Sequence, residues 1–217
     1  MGLSPTSTAG AITGAAAGPP SFSDPLTIVA IIIGRSVSKI FAIYKEFACY
    51  YSPVLRAAFN GPFLEGQSQT MIIDDFSLSG AFGRKAVFAL SGYCRIWVLA
   101  DRLLMPTLQN HVAAEIIKHP NTSKISTIDI SWTYDNTAPD SMLRKLLVDI
   151  CAFGRMDAAR LQDGKEDEFP PRFLLDVALA LREDRETASK VHQETSTVVT
   201  KKLKLEDYKV LEPGFTA

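Results

Sequence analysis

The run Leu26-Thr-Ile-Val-Ala-Ile-Ile-Ile33 constrains this chain more than any other segment: Thr27 is its sole polar residue. Gly34, Arg35 and Lys39 interrupt it well short of the length that crosses a bilayer. A short run apolar at both odd and even positions reads as a strand covered on both faces. A turn through Gly34, Arg35 and Ser36 would bring Phe41–Tyr44 back beside it as a hairpin. The surroundings are globular rather than disordered: 47% of the 217 residues are apolar and 22% charged. That length allows one ordinary domain and a smaller companion around a real core.

Helix signals follow. Ser52-Pro53 sets a hydroxyl N-cap before proline at the first helical position, where its missing N–H costs nothing. The expected helix, Pro53 to Phe59, stops at Asn60-Gly61-Pro62. Gln69 to Ile73 reads as a short β-run. Tyr93, Ile96, Trp97, Ala100, Leu103 and Leu104 share one helical stripe, and Pro106 opens a second helix carrying Leu108, Val112 and Ile116 until His119-Pro120. Asn121 to Lys124 is a polar link. Asp140 or Ser141 caps a helix with Met142, Leu143, Leu146, Leu147 and Ile150 on one face and Lys and Arg on the other. Phe169-Pro-Pro-Arg-Phe173 breaks the chain before a last helix, Phe173 to Leu181. Residues 1–24, rich in Ala, Gly, Ser, Thr and Pro, are expected to form a disordered leader, and 183–217 a charged, poorly ordered tail.

Strand, helical hairpin and strand in this order, with Tyr44-Lys45, Ser52-Pro53, Ala57-Ala58-Phe59, Phe63-x-Glu65-Gly66 and Leu99-Ala-Asp101-Arg-Leu103, closely resemble the BTB (POZ) domain in its fungal form. The resemblance covers about Pro25 to Lys118 and implies an α+β fold, a small β-sheet capped by an α-helical cluster over residues 25–120. Residues 121–182 resemble the helical extension that follows many fungal members, where a Tyr-x-Asn-Thr segment precedes Leu-Arg-Lys-Leu-Leu-Val-Asp. Tyr44 stands where the family commonly carries histidine. Between Asp75 and Tyr93 the family has a helix ending in a Trp-Leu-Tyr signature, absent from Phe76–Gly92, where one amphipathic helix, Ala81 to Leu90, is expected.

Residues able to carry chemistry are scattered. Cys49 and His111 would be the sharpest nucleophile–base pair, yet Cys49 lies between Phe47 and Tyr50 on an apolar face, the setting of a buried structural thiol. His111, His119 and His192 have no ligand spacing with the cysteines, so no metal or cofactor is expected. Asp74 and Asp75 point to opposite faces of a strand and suit a strand-end turn. Asp163–Glu168 lacks the oxygen spacing of a calcium loop. Trp97 and Trp132 read as core or interface anchors. A net charge of −1, with Lys201–Lys204 as the basic cluster, gives no reason to expect nucleic acid. Cys49, Cys94 and Cys151, sparse and far apart, fit reduced thiols in the cytoplasm or nucleus. Residues 1–20 lack the charged and apolar regions of a secretory signal, and no membrane partner is expected.

The expectation is therefore a non-enzymatic interaction module that pairs with itself, as a homodimer, or with another BTB protein as a scaffold. The resemblance implies an interaction surface of Ile28, Ile32, Phe47, Tyr50, Leu55, Phe59 and Phe63, with Tyr44, Lys45, Ser52, Pro53, Glu65, Gly66 and Asp101 as motif positions. A substrate adaptor of a cullin-type ubiquitin ligase is the alternative, disfavoured by the altered Phe76–Gly92 segment. A truncated product with impaired function ranks below both.

Overall fold

The computed structural model describes residues 27–34, 39–76, 90–118, 127–153, 169–192 and 203–211. Within them the fold is mixed α+β, a three-stranded sheet with eight α-helices. Strand β1 (Ile28–Ile33) pairs antiparallel with β2 (Lys39–Tyr44), Ile31 opposite Phe41. Helices α1 (Lys45–Tyr51), α2 (Pro53–Asn60) and α3 (Leu64–Ser68) then cross over to β3 (Thr70–Ile73), which runs parallel to β1 in the order β2-β1-β3. A crossover is what a parallel pairing requires.

One face of the sheet meets the principal core. Val29, Ile31, Ile33 and Ile73 pack inward on Leu55, Phe59, Trp97, Val98, Val112 and Ile116. The expectation that β1 is covered on both faces is corrected here: Val29, Ile31 and Ile33 are buried, while Ile28 is exposed and Ala30 and Ile32 only half-buried. An apolar pattern shows that a face seeks cover, not that this chain supplies it.

Ser52 ties the helical hairpin to the later helices. Its hydroxyl oxygen accepts from the Leu55 N–H at 3.0 Å, the expected N-cap, and its O–H donates to the Leu103 carbonyl at 2.6 Å. Ser52→Ala should therefore cost about 2 kcal/mol, one cap plus one buried carbonyl left without its donor, read as a lowered urea midpoint with unchanged slope. Gly61 ends α2 at φ −83, not in the left-handed region that a stop signal suggested. Glycine is needed there for space, since a Cβ would strike the Ala57 carbonyl and the Phe63 ring. Likewise, a Cβ on Gly66 would strike the Gly61 carbonyl.

Helices α4 (Leu90–Arg102) and α5 (Pro106–Lys118) form an antiparallel pair across a tight turn in which Leu104 takes φ 51. That turn throws Leu104 outward, so it leaves the stripe that its spacing assigned to it. Helices α6 (Thr127–Asn136), α7 (Met142–Phe153) and α8 (Pro171–His192) complete the body. Ile130, Tyr134, Val148 and Phe173 form a second, smaller core, while Leu143, Leu146, Leu147 and Ile150 of α7 join the first.

Two expectations about the extension are corrected. Arg144 is not on a solvated face: it is 8% exposed, and its guanidinium donates to the Tyr134 carbonyl (2.6 Å), the Thr137 carbonyl and the Thr137 hydroxyl (2.9 Å). Helix α8 runs to His192, well past Leu181, with Arg182 and Glu186 paired one turn apart at 2.9 Å. Charged residues that break an apolar pattern are still good helix formers.

The tail is also corrected. Leu203–Leu211 docks on α5 and α7 through a single 3-10 turn, Leu205–Tyr208, with Tyr208 fully buried. The leader, the Arg35-Ser36 turn, most of the Ala81–Leu90 helix, His119-Pro120, Asn121–Lys124 and Asp163–Glu168 lie outside the described residues.

Candidate interaction surfaces

The open face of the sheet is built by strand alternation. Side chains at even positions of β1 and β2 point away from the helices, and the register aligns them into rows. Ile40, Ile32 and Ile72 form one row across all three strands, Ala42, Ala30 and Thr70 the next, and Tyr44 with Ile28 the last. Ile40 is 69% exposed, Ile72 64% and Ile28 53%, with Tyr44 also exposed. Leu64 of α3 continues the apolar surface: with Glu65, Ser68, Thr70 and Ile72 it lines an open cleft of about 320 Å³. Phe63, just before α3, is exposed as well. Soluble monomers seldom expose so many large apolar side chains together.

The residues expected at the interaction surface divide three ways. Ile28 and Phe63 are exposed, and Ile32, Phe47 and Tyr50 are half-buried. Phe47 and Tyr50 each meet the exposed Tyr51 ring, at 6.1 and 4.8 Å between centroids. Leu55 and Phe59 are corrected: at 2% and 1% exposure they belong to the protein's own core, on the face of α2 turned to the sheet. Helix periodicity gave the apolar stripe of α2 but not the element that it faces. Ile40, Leu64 and Ile72 were not among the expected positions; β2 and β3 are both apolar at successive positions, so the sequence carried no signal for which of them face outward.

The motif positions have structural work. Lys45 Nζ donates to the Phe59 carbonyl at 3.0 Å, and Gln69 Nε2 donates to the same oxygen at 3.2 Å, so two side chains cap α2. Ser52 and Pro53 open α2, Glu65 lies on α3 beside the cleft, and Gly66 closes α3 against Gly61. Asp101 accepts from Gln109 Nε2 at 3.0 Å, holding the α4–α5 turn. Tyr44 reaches the open sheet face. Asp75 receives Arg102 at 2.8 Å, across the exposed end of β3. The Tyr-x-Asn-Thr segment closes α6: Tyr134 and Thr137 meet Arg144, and Asn136 Nδ2 donates to the Trp132 carbonyl at 2.8 Å. Trp97 is core, while Trp132 lies half-buried between the Arg95 guanidinium, 4.4 Å above its ring, and the Phe76 edge.

The cysteines are held as thiols. Burial is the first cause of an upward shift at all three, pushing Cys94 and Cys151 up to about 12. The Cys49 sulfur faces the Leu55 carbonyl and the Asn60 amide, and His111 is exposed on α5. Among the described residues no three His, Cys, Asp or Glu side chains lie close enough to hold a metal ion, and no helix is long and apolar enough to cross a membrane.

A second apolar surface lies on α8. Phe173, Val177 and Ala180 turn to α6 and α7, but Leu174, Leu175, Leu179 and Leu181, on the other side of the first three turns, are close to half exposed. A scan against protein-family models and a search of curated proteins find no match to this chain.

Proposed function

We propose that this protein is a non-enzymatic, self-associating interaction module of the BTB type, working as a scaffold. The observation that supports this reading is the isoleucine row Ile40–Ile32–Ile72 on a sheet face that no helix of the described residues covers. Burying such a face against a second copy gains roughly 25 cal/mol for each Å² of apolar surface removed from water. Two strands of six residues and one of four, at ~3.3 Å rise and with ~4.8 Å between strands, offer a patch of at most about 20 by 14 Å. A standard interface takes about 800 Å² from each partner, so the exposed Leu64 beside Ile72, and Phe63 next to it, extend the patch.

The BTB reading rests on the strand–hairpin–strand order, the β2-β1-β3 sheet with its parallel β3, and the positions of Lys45, Ser52, Gly66 and Asp101. Sedimentation of the full chain over a range of concentrations tests the function. The wild type should associate and Ile40→Asp/Ile72→Asp should remain monomeric with an unchanged melting temperature, since both positions already face water. A wild type that stays monomeric at every concentration would sink the reading.

A further inference from the structure

The segment Leu203–Leu211 contacts the body in the way a bound peptide contacts its receptor. One side chain, Tyr208, is fully buried between α5 and α7; Leu203, Leu205 and Val210 lie half-buried beside it, while Lys204, Glu206, Asp207, Lys209 and Leu211 face solvent. The Tyr208 hydroxyl donates to the buried Asp149 carboxylate at 2.7 Å. Asn110 of α5 grips the backbone of Val210 with both ends of its amide, Nδ2 donating to the carbonyl at 3.0 Å and Oδ1 accepting the N–H at 2.7 Å. Lys145 of α7 donates to the Asp207 carbonyl at 3.1 Å and lies 5.6 Å from the centre of the Tyr208 ring. The receptor thus reads a backbone unit with Asn110 and a phenol with Asp149. Backbone bonds for affinity and one side-chain pocket for specificity are a combination that proteins use to recognise peptides.

We propose that the α5–α7 groove is a peptide-recognition site, that Leu203–Leu211 is its resident and displaceable ligand, and that the incoming ligand is a partner's segment that takes the same single turn, with an unmodified tyrosine followed two residues later by a branched apolar side chain. The resident segment serves as the template for that chemistry. This goes beyond self-association and does not depend on it.

A site with one anchor binds weakly between molecules, but a tethered ligand sees an effective concentration of about a millimolar and stays seated. A partner must outcompete it, so the groove is masked until a strong or abundant ligand arrives. The Asp149 carboxylate also sets specificity: a phenol O–H satisfies it, whereas a phosphorylated tyrosine would bring like charge against a buried carboxylate.

The test uses a fluorescent peptide of residues 203–211 and the full-length chain. Tyr208→Ala removes the resident anchor, so this variant should bind the peptide saturably and at least tenfold more tightly than the wild type does. Adding Asn110→Ala should weaken that binding at least fivefold, and a phosphotyrosine version of the peptide should not bind. A Tyr208→Ala chain that keeps its helical spectrum and cooperative melting but binds no peptide overturns the proposal, as does equal binding of the phosphorylated peptide. Hydrogen exchange of the wild type decides independently of whether that variant folds. The Val210 amide should exchange at least tenfold faster than the core amides of α7; exchange at a common rate would make the segment part of the core and overturn the proposal. Sedimentation of the wild type should be unaffected by added peptide, which separates this test from that of self-association.

Discussion

Phe59→Asp should leave the chain unfolded at room temperature, with no cooperative thermal transition and the helical signal of circular dichroism largely lost. Phe59 is 1% exposed, packed under the sheet in the principal core. Truncating a buried phenylalanine to alanine alone costs about 3–5 kcal/mol. Aspartate adds a charge to a site lined by apolar side chains, which costs several kcal/mol more whether it stays ionised or takes up a proton. Against a total stability of about 5–15 kcal/mol, little folded protein remains. The comparison with Ile72→Asp gives the result its meaning. Both residues belong to the apolar pattern of the same stretch, but the sheet face at Ile72 opens to water, so that change should spare the fold. A Phe59→Asp chain that stays folded and merely ceases to associate would return Phe59 to the interface and overturn the division made here.

The second large effect is expected at Arg144. Its guanidinium joins α7 to the end of α6, donating to the carbonyls of Tyr134 and Thr137 and to the Thr137 hydroxyl, with its plane 4.4 Å from the Tyr134 ring centre. The last carbonyls of a helix lack partners within it and carry the negative end of its dipole, so a buried cation is a fitting cap. Arg144→Ala removes all these donors from a closed site and should destabilise the protein by about 3–5 kcal/mol, read as a shift in the urea midpoint. Arg144→Lys should recover little, because one ammonium cannot reproduce the planar fork. Arg182→Ala, which loses only the exposed pair with Glu186, serves as the control at about 0.5 kcal/mol. A loss at Arg144 no larger than the control would show that water replaces the guanidinium at those carbonyls.

These two residues also mark where sequence reasoning reached its limit. Ser52 before Pro53 announced the start of α2, Pro106 that of α5 and Asp140-Ser141 that of α7, because caps and prolines act within one turn of themselves. Alternation in Phe41–Tyr44 and the run ending at Ile33 announced the hairpin for the same local reason. The partners of Lys45 and Gln69, and two of the three acceptors of Arg144, were not legible, since they are backbone carbonyls, and every residue has one. Tyr208 was hidden in a stretch of charges that reads as solvated. One aromatic amid Glu, Asp and Lys has no periodicity to give it away.

The sequence by itself determined the hairpin, the short third strand, the starts of α2, α5 and α7, and the presence of a large apolar surface in residues 26–73. Those are properties of short windows, governed by periods of 2 and 3.6 residues and by caps. Only the tertiary structure decided which apolar face meets the chain's own core and which is left to water. Leu55 and Phe59 went inward, Ile40 and Ile72 outward, and Tyr208 into the α5–α7 groove. The physical reason is that the drive to bury apolar area has no direction: it ranks surfaces by their cost in water, and the way the chain connects its elements selects which of them are covered.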